Sequence, residues 1–319
     1  MSDKKPQLSI VVPVYNEQTG IEMFHKSLSD VLKGMKLSCE VIYANDGSRD
    51  DTLSQLRSIA KHDSTVRYLS LSRNFGKEVA VTAGIHEARG EAVLTIDADG
   101  QHPVQMIPEF VAKWQAGAKV VVGVRTANGD THSIKRVGSK LFYKIMNRFS
   151  GVRIEPGSTD FRLIDRVVQQ DFVRLTERNR ITRGLIDWLG YPQEYIRFEA
   201  DPRIAGDATY SYGKLLKLFI DSIVSMSVSP LYIVAYIGAV VLPVSLLLGF
   251  VMGINGLTGD HLNLHATGSA YVSVLTLCLV GILMVSQGII GLYLSHIHAE
   301  SQNRPLYVVD ESNSSLKHE

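Results

Sequence analysis

Leu8-Ser9-Ile10-Val11-Val12-Pro13-Val14-Tyr15-Asn16-Glu17 is a short apolar run that closes on a proline and a polar cluster. It is too short for a signal-peptide core with its cleavage site, so it predicts a buried strand, and the first two-thirds of the chain is expected to stay unexported. The same pattern recurs downstream. Strand-like runs at Glu40–Ala44, Val66–Leu71, Ala92–Ile96 and Lys119–Val124 are separated by helix-compatible stretches. This βαβα alternation predicts a parallel sheet covered by helices. Such sheets bind ligands at the carboxyl ends of their strands. Polar clusters fall at those ends: Tyr15-Asn16-Glu17, Asn45-Asp46-Gly47-Ser48, Arg73-Asn74-Phe75-Gly76-Lys77 and Asp97-Ala98-Asp99.

The composition changes near residue 230. Leu231–Gly253 is 23 residues without a charge, and Ala270–Leu294 is 25 more. At 1.5 Å rise per residue, each is long enough to cross about 30 Å of hydrocarbon. The linker Ile254–Ser269 has no Lys or Arg, whereas Lys214 and Lys217 precede the first span and Arg304 follows the second. The positive-inside rule then puts both chain ends in the cytoplasm and the linker outside. A two-span hairpin without a charged relay is too small for a transport path. The expected organisation is a catalytic domain at 1–209, a juxtamembrane amphipathic helix at 210–230, a hairpin at 231–294 with spans 231–253 and 270–294, and a cytoplasmic tail at 295–319.

Lys plus Arg total 33 and Asp plus Glu 32, a balance that gives no global pull toward nucleic acid. Cys39 and Cys278 are too few and too far apart for a disulfide framework or a metal cluster. No Gly-x-Gly-x-x-Gly follows the first strand, and Gly76-Lys77 precedes Glu78 without the upstream glycine of a phosphate loop. A dinucleotide oxidoreductase and an ATPase are therefore set aside. Asp97 and Asp99, two apart at a strand end, are expected to point the same way and to need a hard divalent cation between them; an acidic turn or helix cap is the alternative. Arg136, Lys140, Lys144 and Arg148 recur at four-residue steps in Ile134–Phe149. They predict a basic amphipathic helix for an anionic lipid surface, or an ordinary surface helix on the sheet. Tyr210–Met226 is a second amphipathic candidate.

Val12-Pro13-Val14-Tyr15-Asn16-Glu17, Asn45-Asp46-Gly47-Ser48, Arg73 to Glu78 and Asp97-Ala98-Asp99-Gly100-Gln101 resemble the family 2 glycosyltransferases. More narrowly the chain resembles their dolichol-phosphate mannose synthase-like branch, with the bacterial polyprenyl-phosphate glycosyltransferases. Thr159-Asp160-Phe161-Arg162-Leu163, Arg203-Ile204-Ala205-Gly206 and Arg304-Pro305-Leu306-Tyr307 extend the resemblance. It implies a GT-A-type, Rossmann-like parallel-sheet domain. Pro13, Tyr15, Glu17 and Asp46 would line the nucleotide pocket, joined by Lys77 and Asp97. Asp97, Asp99 and Gln101 would organise Mg²⁺ or Mn²⁺ on the diphosphate. Arg125 and Arg203 would face phosphates, and Asp160 would lie near the reacting centre. The implied activity is inverting transfer from a nucleotide-sugar, with UDP the first expectation, to a polyprenyl phosphate. A processive polysaccharide synthase and a non-catalytic nucleotide-sugar-binding scaffold are the alternatives; the first is disfavoured because no Arg-Trp pair occurs. Gly238, Gly281, Gly288 and Gly291 would permit close helix packing, hence a homo-oligomer.

Overall fold

The structure is a computed structural model. It describes residues 5–126, 155–178, 180–199 and 268–316, with single positions at 236, 240, 243, 247, 250 and 254. By contacts the chain forms two compact units, Met1–Gly213 with Arg304–Glu319, and Lys214–Asn303.

The first unit is built on seven strands: β1 (Leu8–Val14), β2 (Cys39–Asn45), β3 (Val66–Ser70), β4 (Ala92–Thr95), β5 (Val120–Arg125), β6 (Ser158–Asp165) and β7 (Gln193–Phe198). Helices α1 (Ile21–Gly34), α2 (Thr52–His62), α3 (Lys77–Glu87), α4 (Ile107–Gln115), α5 (Arg166–Val173) and α6 (Thr182–Trp188) connect them. The sheet order is β3-β2-β1-β4-β6-β5-β7. All seven residues of β1 are buried. Its alternate side chains feed two different cores: Leu8, Ile10, Val12 and Val14 with α1, and Val11 with α3. A strand buried on both faces reads as a continuous apolar run rather than an alternating one, because helices cover both sides.

The expected all-parallel sheet is corrected to a mixed one. Strand β6 runs antiparallel to both β4 and β5, while the other pairings are parallel. A strand's own residues do not encode its direction. The antiparallel turn also matters for the site, since it brings the start of β6 beside the carboxyl end of β4, where Thr95 faces Arg162. Pro13 is tolerated inside β1 because the β4 ladder stops opposite Val11, so no partner on that side needs its N–H.

In the second unit, helix α7 (Gly268–Ser301) has 34 residues and contains the predicted span Ala270–Leu294. Val272, Val280, Leu283, Met284, Val285, Leu292 and Leu294 are exposed on it. The consecutive trio at 283–285 means that no single stripe holds them. Among the described residues no helix is long and apolar enough to cross a membrane; the side chains of α7 are described only in part. Tyr236, Val240, Leu247 and Phe250, within the first predicted span, are helical and exposed. The predicted amphipathic segments 134–149 and 210–226, and Arg203, lie outside the described residues.

Candidate active site

The carboxyl ends of β1, β2, β3 and β4 gather their loops on one edge of the sheet, and hydrogen bonds lock these loops to one another. The Asn16 N–H donates to Ser48 Oγ (3.0 Å), the Arg49 N–H to Asn16 Oδ1 (2.9 Å) and the Glu17 N–H to Thr52 Oγ1 (2.8 Å). Asn16 adopts φ 54°, a conformation that asparagine tolerates better than most residues. Tyr15 is exposed, Pro13 is buried and Glu17 is half-buried.

Asp46, 2% exposed, accepts from the Phe75 N–H (2.7 Å) and the Gly76 N–H (2.9 Å), one on each carboxylate oxygen. Burial pushes its carboxyl up, against these two bonds and the charge of Arg73. Asp46 therefore holds the β3–α3 loop onto the β2 loop. The approach is close at Gly47, where φ is +65° and a Cβ would come within 2.4 Å of the Arg73 carbonyl carbon. Asp46, predicted for the nucleotide pocket, thus makes contacts that shape the loop.

Lys77 is the first residue of α3. A cation at a helix N-terminus works against the macrodipole, so its position needs another cause. Two carboxylates supply it: the ammonium lies 2.8 Å from Asp97 Oδ1, 2.8 Å from Asp97 Oδ2 and 2.8 Å from Asp160 Oδ2. Residues 83 positions apart meet here because β6 runs back beside β4. The Thr95 hydroxyl fixes this corner by donating to the Asp160 carbonyl. Desolvation opposes charging of both partners, though 45% of the Lys77 side chain reaches solvent, and mutual attraction wins: Lys77 is held well above the usual lysine range, and Asp160 is held down to about 2. Asp160 Oδ1 is buried without a hydrogen-bond partner, so the side chain has an accepting oxygen left in the site.

The strand-end argument for Asp97 and Asp99 needs correcting. Strand β4 stops at Thr95, and both aspartates lie in the turn beyond it. The Asp97 N–H goes to His102 Nδ1 (3.3 Å), not to a neighbouring strand. Asp99 Oδ1 accepts from the Gln101 N–H (3.0 Å), and Gly100 takes φ +77° to close the turn. Turn chemistry, not alternation, sets the two side chains. His102 is buried against Phe161 and Phe198 and is lowered by that burial, so it packs neutral. Arg125 ends β5 and is exposed, its N–H bonded to the Gly157 carbonyl (2.9 Å).

Sequence patterns gave no role to several groups behind Asp160. The Thr182 N–H donates to Glu78 Oε2 (2.8 Å), which ties α3 to the start of α6. Burial and then the Asp160 charge push Glu78 up. Arg162, 2% exposed, donates to Asp187 Oδ1 (2.6 Å) and to the Thr159 carbonyl (3.0 Å), fixing the strand that carries Asp160. Glu78 and Arg162 sit inside motifs visible in the sequence, but Thr182 and Asp187 lie in an unmarked helix that only tertiary packing brings here.

Among the described residues no group of three or more His, Cys, Asp or Glu forms a cation cage. Asp97 and Asp99 offer two hard carboxylates. That is the fit for Mg²⁺ or Mn²⁺ bound through one or two carboxylates plus substrate phosphates, rather than for a resident structural ion.

Residues 9–172 match the family described as Glycosyl transferase family 2. An uncharacterised glycosyltransferase of Synechocystis is 38% identical over 305 residues, 96% of this chain and 95% of that one. A bactoprenol glucosyl transferase of Shigella phage SfII is 36% identical over 307 residues, 96% of this chain and 98% of that one. A putative glycosyltransferase of Bacillus subtilis is 34% identical over 310 residues, 97% and 93% of the two chains. Among solved structures, mannosyl-3-phosphoglycerate synthase from Rubrobacter xylanophilus is similar at TM-score 0.47 and 16% identity, over 69% of this chain and 72% of that one. The matched segment begins in β1 and ends in α5, so it contains the Asp46 clamp, both turn aspartates and the Lys77–Asp160 contact; the chain belongs to the family 2 glycosyltransferases.

Proposed function

We propose that this enzyme transfers a sugar from a nucleotide-sugar, with UDP as the carrier, to a polyprenyl phosphate at the cytoplasmic face of a membrane. The observation that carries this reading is the joining of Lys77 to Asp97 and Asp160, with Asp99 in the adjacent turn, on the ligand-binding edge of the sheet. The end-to-end match to proteins named bactoprenol glucosyl transferase supports the acceptor.

The acceptor chemistry suits the site. A phosphate monoester, with a second pKa near about 6, is already charged at neutral pH, so no strong general base is required. The anomeric carbon–oxygen bond to the nucleotide diphosphate breaks as a bond to the acceptor phosphate oxygen forms, with inversion. Asp97 and Asp99 would hold Mg²⁺ or Mn²⁺, which when bound neutralises the diphosphate leaving group. Lys77 would turn its ammonium to the donor phosphates. Arg125 and Arg203 would hold anions that otherwise repel. Asp160, kept charged, would orient Lys77 and offer its second oxygen to the donor sugar. Purified full-length protein incubated with a panel of nucleotide-sugars and undecaprenyl phosphate should yield one lipid-linked sugar in quantity. Transfer only to a growing polysaccharide would favour the synthase reading, and no transfer at all the scaffold.

Anchoring by the two apolar segments is part of the same proposal. Exposed apolar residues around α7 support it, as do the helical positions in 236–250. A cysteine at Asn263, in a background without Cys39 and Cys278, should react with an impermeant thiol reagent from outside intact cells. One at Ser312 should not, and the opposite labelling would overturn the orientation. Among the described residues nothing lies within 4 Å of a Cβ built at Gly281, Gly288 or Gly291 on α7, so a second helix could pack closely there in an oligomer.

A further inference from the structure

We infer that the C-terminal segment Tyr307–Leu316 is a positioning element of the active site, which sets where the β3–α3 loop presents Lys77. Strand β3 is an edge of the sheet, and a bare edge exposes unpaired backbone groups. The C-terminal segment covers it. Val309 pairs antiparallel with Leu71, the Ser72 N–H donates to the Val308 carbonyl (2.9 Å), and the Asp310 N–H donates to the Ser70 carbonyl (2.8 Å). Further along, the Tyr68 N–H donates to Ser315 Oγ (2.8 Å), the Ser70 N–H to Ser314 Oγ (2.9 Å), and the Ser315 N–H to the Tyr68 carbonyl (2.9 Å). Leu316 is buried in the core beneath.

The same segment also holds α3. Tyr307 OH lies 3.1 Å from His86 Nδ1, one residue before the helix ends, and Tyr307 and Val309 pack on the core that α3 shares. Burial lowers His86 to about 4, so near neutral pH the ring is uncharged and bonds the phenol. The segment therefore grips both elements that flank the loop Arg73–Gly76. That loop has little freedom of its own. Asp46 holds its Phe75 and Gly76 amides, and Gly47 packs against Arg73. Any slide of β3 along α3 must then appear at Lys77, whose ammonium sits 2.8 Å from two carboxylates. A shift of about 1 Å is enough to matter to a positioned group.

The segment belongs to the first compact unit but follows α7 in the chain. The piece that completes the catalytic unit is thus made after α7. If α7 is a membrane helix, as the proposed function holds, full activity awaits synthesis of the whole hairpin.

Full-length Asp310→Pro tests this. Asp310 has φ −82° and ψ 94°, close to what proline adopts, so the substitution removes the donated N–H at little conformational cost. Asp310→Ala keeps that N–H and is the control. Hydrogen exchange of the Ser72–Lys77 amides and calorimetric binding of UDP with Mn²⁺ need no acceptor, so they stand even if the polyprenyl phosphate reading fails. Asp310→Pro should speed exchange across the loop about tenfold. It should also weaken UDP binding about tenfold while the acceptor KM and the melting temperature of the sheet change little. Asp310→Ala should resemble wild type. Unchanged loop exchange and UDP affinity in a variant whose Ser315 amide has lost protection would overturn the inference. So would equal losses in both variants that follow a lowered melting temperature. Should Ser315 stay protected in Asp310→Pro, Leu316→Asp, which forces a charge into the buried position, undocks the segment and is read the same way.

Discussion

Asp99→Asn should lower sugar transfer by about a thousandfold or more while the protein folds as before. The two halves of this expectation have separate causes. The Asp99 carboxylate lies in a turn outside the sheet, partly open to solvent, and accepts the Gln101 N–H. Asparagine has a carbonyl oxygen in the same place, so the turn and its Gly100 conformation should survive. What the substitution removes is a full negative charge beside Asp97, at the point where a dication and a diphosphate would meet. Loss of a charge ligand costs several kcal/mol at a catalytic cation, hence the size of the effect. The check is turnover with undecaprenyl phosphate and the nucleotide-sugar that the panel selects, together with Mn²⁺ titration followed by electron paramagnetic resonance. Near-wild-type turnover in the variant, or full wild-type activity in excess chelator, would sink the cation assignment.

How far the sequence carried this site can be judged from particular elements. The first five strands are found within a residue or so of their expected bounds, because apolar runs between polar clusters mark buried strands. The ligand edge was legible for the same reason. The direction of β6 was not, since Ser158–Asp165 is a strand interrupted by the buried Arg162, whose partner Asp187 lies 25 residues away. The meeting of Lys77 with Asp160 depends on that direction and was equally hidden. Asp46 was legible as important, but its burial and its two amide bonds could come only from the fold. The Arg304-Pro305-Leu306-Tyr307 motif was visible, whereas the strand addition that follows it was not. Isolated backbone pairing on an edge leaves no periodicity to read.

The Lys77 contact also explains why a cation at this position should matter beyond the donor phosphates. Lys77→Met keeps most of the aliphatic stem but removes the ammonium between Asp97 and Asp160. In the wild-type protein Asp160 sits at about 2, below the ordinary 3.8. A depressed carboxylate gives stability that is present above the unfolded value and is lost as pH falls through the folded one. With screening at the exposed Lys77, that contribution is about 1–2 kcal/mol, gained between pH of about 2 and 4. In Lys77→Met, burial acts on Asp160 against only the charges of Arg183 and Arg162, so its carboxyl rises from about 2. The stability gained as pH rises from about 2 to 4 then shrinks, and the acid limb of the variant flattens. Urea unfolding between pH 3 and 7 reads this directly. Turnover should fall about a hundredfold or more at neutral pH, since the donor would lose a phosphate partner and Asp160 the ammonium it orients. Lys77→Arg, which keeps the charge with a broader fork, should retain the wild-type acid limb even where its turnover drops. An unchanged acid limb of stability in Lys77→Met, with turnover near wild type, would mean that the ammonium is an exposed surface charge and that Asp160 takes its low value from Arg183 and Arg162 instead.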